Sequence, residues 1–342
     1  MKLNPSNERL KHRYFQWLRD ARQMAEKSIE QVAMALDRFE DFTQRRDFKQ
    51  LRLDQAGLFK KHLAKANGKR SGDKLSKATI NSTLYAMRDF VRWLAGQKGF
   101  RNRLVATDAE YFNPSRHDEA IARAQRPMKV PELWQIEAVV DAMPTSTIIE
   151  RRNRAIVALI ILTGARDNAV ASLRLSDLDP EGQELFQDSR HVRTKFRKTY
   201  STWFFPVGGK YVDIVTNWVS ELAEIRGRDP ATPLFPRTET RFGKDGTTPE
   251  AHLGSEGWAN ADPIRKLFKE ACKAAGMPDF KPHSLRHMLA RIGEQRAASA
   301  EDMKSWSQNL GHENMLTTFT SYGQVPAHRQ KEVVLRMTEP VT

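Results

Sequence analysis

Residues 153–166 read NRAIVALIILTGAR. From Ala155 to Leu162 every side chain is apolar, so a helix here is greasy on all its faces and has to be enclosed by other elements. Gly164 is the expected stop, and Arg166 follows it at once. The apolar run from Ala155 to Ala165, the longest in the chain, falls well short of the roughly 18 to 20 residues that cross a bilayer. It reads as the central helix of a globular domain. The opening MKLNPSNERLKHRYF has no apolar stretch of a signal peptide, so the chain is expected to be soluble and not secreted, with no membrane partner.

Working outward from that helix, the 342 residues suffice for two domains, each with its own core. On the near side, Pro131 is expected in the first turn of a helix bearing Leu133, Ile136, Val139, Val140 and Met143. On the far side, Asp179-Pro180-Glu181-Gly182 signals a turn, and residues 184–192 and 199–207 read as two strands around a basic tip, Lys195 to Lys198. Helices resume at Asp262-Pro263 and run to Gly276, with Pro278 as a stop. Toward the N-terminus, Ser28 is placed as the cap of a helix carrying Ile29, Val32, Leu36 and Phe39, and Ile80, Leu84, Met87, Val91 and Leu94 make a second stripe between Ser76 and Gly96. The expected architecture is mainly α with a small antiparallel sheet: a helical domain over 1–112, a linker over 113–130, and a larger domain over 131–342.

Charge separates these parts. Residues 1–125 hold 26 Lys and Arg against 15 Asp and Glu, whereas residues 126–342 hold 30 against 27. The densest stretch contains Lys60, Lys61, Lys65, Lys69, Arg70, Lys74 and Lys77 against the single acid Asp73. Such a patch suits a phosphate backbone, because each neutralised phosphate releases counterions; the plain alternative is a solvated loop. No amphipathic basic helix with a Trp/Phe/Leu face accompanies it, which speaks against a membrane surface. The lone Cys272 excludes an internal disulfide and fits a reducing, intracellular compartment.

Four segments hold the remaining conspicuous polar residues. Leu162-Thr163-Gly164-Ala165-Arg166 ends the apolar helix on an arginine, which taken alone is an ordinary salt-bridged helix end. Arg193-Thr194-Lys195 sits at the hairpin tip, where lysines usually just solvate. His283-Ser284-Leu285-Arg286-His287 opens a helix after Pro282, with His283 and Arg286 on one face and Leu285 and Leu289 toward the core. His283 and His287 also have the spacing of a metal pair, but Arg286 between them would repel a cation. Leu310-Gly311-His312 is followed by TTFTSYG, ending in Tyr322-Gly323.

Taken in order, these segments resemble the tyrosine recombinase, or phage-integrase, family of site-specific recombinases: TG-x-R, a lysine in a β-hairpin, H-x-x-R, LGH, and a tyrosine about ten residues on. The resemblance covers nearly the whole chain and implies an N-terminal core-binding (SAM-like) DNA-binding domain ahead of a catalytic domain. It implies catalytic roles for Arg166, Lys195, His283, Arg286, His312 and Tyr322. Lys195 is preferred to Lys198, three residues on. Where the family commonly has an acid three positions after the first arginine, this chain has Ala169.

The family mechanism implies that Tyr322 attacks a DNA phosphate to give a 3′-phosphotyrosine and a free 5′-hydroxyl, without ATP, metal or any other cofactor. The partners it implies are double-stranded DNA with inverted-repeat core sites and a homotetramer formed on that DNA, the chain being a monomer or weak oligomer without it. It also allows for an accessory directionality or DNA-bending factor. Integration or excision of a mobile element in the bacterial cytoplasm, at the nucleoid, is the expected setting; a helix expected over 326–337 either packs on its own domain or, as the resemblance implies, docks on a neighbouring protomer. A catalytically silent DNA-binding regulator on the same fold and a type IB-like topoisomerase are the competing readings.

Overall fold

The computed structural model describes residues 3–68, 72–123, 129–242 and 249–312, together with 330, 331, 334 and 335. Its packing divides into two units, Met1–Arg126 and Pro127–Thr342.

The first unit contains α1 (Pro5–Asp20), α2 (Glu26–Phe42), α3 (Asp54–Lys65), α4 (Lys77–Ala95) and α5 (Arg116–Arg123). Asn4 caps α1, its Oδ1 accepting the backbone N–H of Ser6 at 3.0 Å, and Pro5 begins the helix. The stripe of α4 is buried as its spacing requires, from Ile80 through Leu94, and the Ser76 hydroxyl accepts the N–H of Thr79 at 3.1 Å. Phe39 meets Phe59 edge-on at 5.0 Å, and Phe112 closes the same core.

Charge is buried here as well. Lys11 of α1 reaches Glu40 of α2 at 2.6 Å, and Asn7 donates to the same carboxylate at 2.9 Å while its own Oδ1 accepts the N–H of Phe48 at 2.9 Å. Two expectations change in this unit. Ser28 does not cap α2, which starts at Glu26 behind Ala25; the Ser28 N–H instead bonds the Ala25 carbonyl at 2.8 Å, inside the first turn. The stretch read as linker contains α5, held against α4 by Lys77–Asp118 at 2.5 Å and by Asn81 donating to the Asp118 carbonyl at 3.3 Å. Its grip on α4 is polar, so no apolar stripe announces it.

The second unit is built on α7 (Ile148–Thr163), preceded by α6 (Leu133–Asp141). From Ala155 to Leu162, α7 is at most 1% exposed, as its composition demands. It begins before Asn153, at a reciprocal cap: Glu150 accepts the Thr147 N–H at 2.8 Å, and Thr147 Oγ1 accepts that of Glu150 at 3.2 Å. Pro131 lies ahead of α6, not in its first turn; Glu132 is the cap.

After α7 come α8 (Asp167–Val170) and an antiparallel sheet, β1 (Leu178–Asp179), β2 (Glu184–Gln187) and β3 (Tyr200–Trp203), in the order β1-β2-β3. Glu184 faces Trp203 and Gln187 faces Tyr200. The strands are shorter than the sequence suggests because Asp188 turns the chain, its carboxylate accepting the backbone N–H of Arg190 at 2.9 Å and the Arg190 guanidinium at 2.8 Å. The unit then runs through α9 (Gly209–Arg226), β4 (Thr238–Phe242), β5 (Pro249–Leu253), α10 (Asp262–Ala274), α11 (Pro282–Arg296) and α12 (Ala300–Asn309). The β4–β5 hairpin was not expected. Helices α6, α9, α10 and α11 all pack on α7. Among the described residues, no helix is long and apolar enough to cross a membrane.

Candidate active site

Three helix ends converge where α7 stops. Gly164 caps α7 in the left-handed region (φ +60°), a conformation that suits glycine. It is also crowded: a Cβ there would lie 2.9 Å from Leu310 Cδ2 and 3.0 Å from Leu289 Cδ1. Arg286, on the first turns of α11 and only 2% exposed, donates through Nη1 to the Gly164 carbonyl. Its Nη2 donates to the Leu310 carbonyl at 2.5 Å. One guanidinium thus satisfies the free carbonyls at the C-termini of α7 and α12, where helix dipoles favour a cation.

The Leu310-Gly311-His312 segment is the closing turn of α12. The Gly311 N–H bonds the Gln308 carbonyl at 2.7 Å and the His312 N–H bonds that of Ser307 at 3.2 Å, a Schellman pair that needs a left-handed residue, here Gly311 at φ +71°. A Cβ on Gly311 would come within 2.7 Å of the Tyr200 ring. The turn delivers His312, whose Nε2 lies 3.3 Å from Arg286 Nη2. Because a guanidinium only donates, Nε2 must accept, which assigns the ring proton of neutral His312 to Nδ1. Burial, then the charges of Arg286 and Arg166, bring His312 down to about 4.

Arg166 is the N-cap residue of α8, half-buried, and its charge bears on both His283 and His312. The adjacent Asp167 is taken by Arg265 of α10 at 2.6 Å. His283 stands at the solvent-facing start of α11, its ring edge-on to that of His287 at 4.9 Å. Although the residue is accessible, the protein packed about its ring, followed by the charges of Arg286 and Arg166, holds its imidazolium below the ordinary histidine range. His287 is buried and is lowered to about 4 by that burial and by His283 and Arg286. Among the described residues, no group of three or more His, Cys, Asp or Glu side chains could hold a metal ion.

Lys195 lies on the exposed loop between β2 and β3, its ammonium 5.0 Å from the Phe196 ring centroid, and its charge reaches His283. Behind it, Arg193 donates to the carbonyls of Trp258 at 2.6 Å and Ala259 at 2.7 Å, and His191 pairs with the buried Asp177 at 2.7 Å. Neither contact has a signature in the sequence; no local pattern marks an arginine whose acceptors are backbone carbonyls far along the chain.

The structure therefore brings Arg166, His283, Arg286 and His312 into one neighbourhood, with Lys195 in electrostatic reach. Tyr322 lies outside the described residues, as do Lys69, Arg70 and most of the 326–337 segment. In the first unit, Lys61, Lys65 and Lys74 are exposed and Lys60 is half-buried, while Lys77 is engaged by Asp118.

Comparison with known proteins gives a consistent result. Residues 132–329 match the Phage integrase family, and residues 12–98 match the N-terminal SAM-like domain of phage integrases. The tyrosine recombinase XerC of Lactobacillus leichmannii is 28% identical over 251 residues, 72% of each chain. XerD of Listeria monocytogenes serotype 4b (strain F2365) is 24% identical over 252 residues, 72% of this chain and 74% of that protein. Among solved structures, the XerH recombinase bound to palindromic difH substrate in a post-cleavage complex shares the fold, with a TM-score of 0.63 at 16% identity over 93% of this chain and 82% of that one. With the catalytic-domain match covering more than half its length, the chain belongs to the phage integrase family, the tyrosine recombinases.

Proposed function

We propose that this chain is a site-specific DNA recombinase that cuts and rejoins strands through a 3′-phosphotyrosine on Tyr322. Arg166 and Arg286 bind the non-bridging oxygens of the scissile phosphate, and both stay charged while the transition state gathers negative charge. His312 adds a neutral N–H donor. His283, kept uncharged at neutral pH, accepts the phenolic proton of Tyr322, whose ordinary pKa near 10 would otherwise leave it a poor nucleophile. The phenolate oxygen bonds to phosphorus, the P–O5′ bond breaks, and Lys195 protonates the departing 5′ oxygen. Attack by a 5′-hydroxyl of a second duplex reverses these steps and joins new partners, with no outside energy source.

The convergence of Arg166, His283, Arg286 and His312 from three helix ends carries this reading. The basic residues Lys60, Lys61, Lys65, Lys69, Arg70 and Lys74 hold the flanking duplex, in which two core sites lie as inverted repeats. Four copies assemble on two such duplexes in the bacterial cytoplasm, at the nucleoid, in integration or excision of a mobile element. Lys77, in an ion pair with Asp118, contributes only when that pair opens.

A library of randomised duplexes, each with one nick that lets the short 5′-hydroxyl fragment diffuse away, tests the proposal. Wild-type protein should leave SDS-resistant covalent adducts enriched for one inverted-repeat sequence. Tyr322→Phe should bind that sequence and leave none. An absence of adducts would leave a silent DNA-binding protein, and adducts without sequence enrichment would point to a topoisomerase.

A further inference from the structure

Arg193 ties the loop that carries Lys195 to the element that carries Arg166. Its Nη1 and Nη2 span two successive carbonyls, Ala259 at 2.7 Å and Trp258 at 2.6 Å, and its Nε makes a long contact to the Asn168 carbonyl at 3.4 Å. Its backbone N–H donates to Ser172 Oγ at 2.9 Å, and that hydroxyl donates to the Ala169 carbonyl at 2.9 Å. Asn168 and Ala169 belong to α8, which starts directly after Arg166. Trp258 is buried, with the Arg152 guanidinium 5.0 Å from its ring centroid, so the strap ends on packed backbone.

Lys195, two residues beyond, has no such footing of its own: it is exposed, and Phe196 and Arg197 after it both sit at positive φ, 61° and 52°. The acceptors of Arg193 are all neutral oxygens, so its contribution is geometric. A planar fork spans two consecutive carbonyls with two separate nitrogens in fixed geometry; a lysine carries its three donors on one rotatable nitrogen and does not reproduce that spacing.

We propose that Arg193 is a positioning residue that fixes Lys195 relative to Arg166, so that the ammonium faces the departing 5′ oxygen. This rests on the recombinase reading above. In the cleavage step Tyr322 forms the new P–O bond, P–O5′ breaks, and the Lys195 proton passes to that oxygen. If sulfur replaces the bridging 5′ oxygen, P–S breaks and a thiolate leaves without needing the proton. A defect that acts through Lys195 must then largely disappear.

The experiment uses the full chain and the duplex recovered from the covalent library, prepared with bridging oxygen or bridging sulfur. Arg193→Ala should slow adduct formation on the oxygen duplex by on the order of tenfold to a hundredfold, the scale of a small misplacement, with DNA binding retained. On the sulfur duplex it should return to within a few-fold of wild type, as should Lys195→Ala. Wild-type cleavage of the oxygen duplex by Arg193→Ala overturns the inference, and so does a defect of equal size on both duplexes. Should Arg193→Ala not fold, Arg193→Lys goes through the same pair of duplexes with the same deciding outcomes. Failure of wild-type protein to form any adduct would instead sink the recombinase reading itself.

Discussion

Arg286 donates to the carbonyl of Gly164, and the Arg286 Cγ passes 3.5 Å from the point where a Cβ on that glycine would stand. The end of the central helix and the buried guanidinium are fitted to each other, and the missing side chain is part of the fit. Gly164→Ala meets two penalties: about 1–2 kcal/mol for a left-handed non-glycine residue, and about 1–3 kcal/mol for crowding Leu310 and Leu289. Urea denaturation should show a loss of about 2–5 kcal/mol. An unchanged midpoint and slope would mean that the cap tolerates a methyl group.

Arg286→Lys keeps a positive charge but cannot bridge the Gly164 and Leu310 carbonyls and still face a phosphate. Covalent adduct formation should fall by about a hundredfold to a thousandfold, the usual cost of removing one preorganised donor, while duplex affinity changes far less. A variant within a few-fold of wild type would remove Arg286 from the phosphate clamp.

His287 is buried in its neutral form and lowered from 6.5 to about 4, so the unfolded chain binds its proton first as the solution is acidified. Its contribution is complete above pH 6.5 and is lost as pH falls from there toward 4, with an upper size of about 3 kcal/mol. Denaturation midpoints measured across that window should fall for wild type and fall less steeply for His287→Gln, in which the similarly lowered His312 still contributes. Parallel slopes for the two proteins would contradict this.

In the first unit, Glu40 is fully buried and holds both Lys11 and Asn7. Glu40→Ala leaves the Lys11 ammonium with Glu8 at 2.7 Å and Asp37 at 3.3 Å but removes its buried partner and an acceptor of Asn7, and should cost about 1–3 kcal/mol, whereas the double change Lys11→Met with Glu40→Leu should recover most of it. Thermal melts of the two proteins decide the point, and equal losses would show that the pair is not the main determinant.

Much of this was legible in the chain itself. The apolar run of α7, the stripe of α4, the glycines at 164 and 311 and the spacing of His283 from Arg286 are local patterns, and local patterns have a periodicity or a turn preference to read. Helix α5 and the Asn7–Lys11–Glu40 cluster were not legible, because polar contacts between elements leave no period. The hairpin strands were overestimated for a related reason: Asp188 folds back onto Arg190, and the residues beyond it keep their strand-like composition without a partner strand.

The amino-acid sequence alone determined which chemical groups are present, where helices end, and which residues stand one turn apart. The tertiary structure decided whom those groups address. Arg286 holds the carbonyls of Gly164 and Leu310, and Arg193 those of Trp258 and Ala259. Every residue has a backbone carbonyl, so an acceptor of that kind carries no signature in the chain. Only folding, by leaving particular carbonyls unpaired at helix ends and turns, makes them partners.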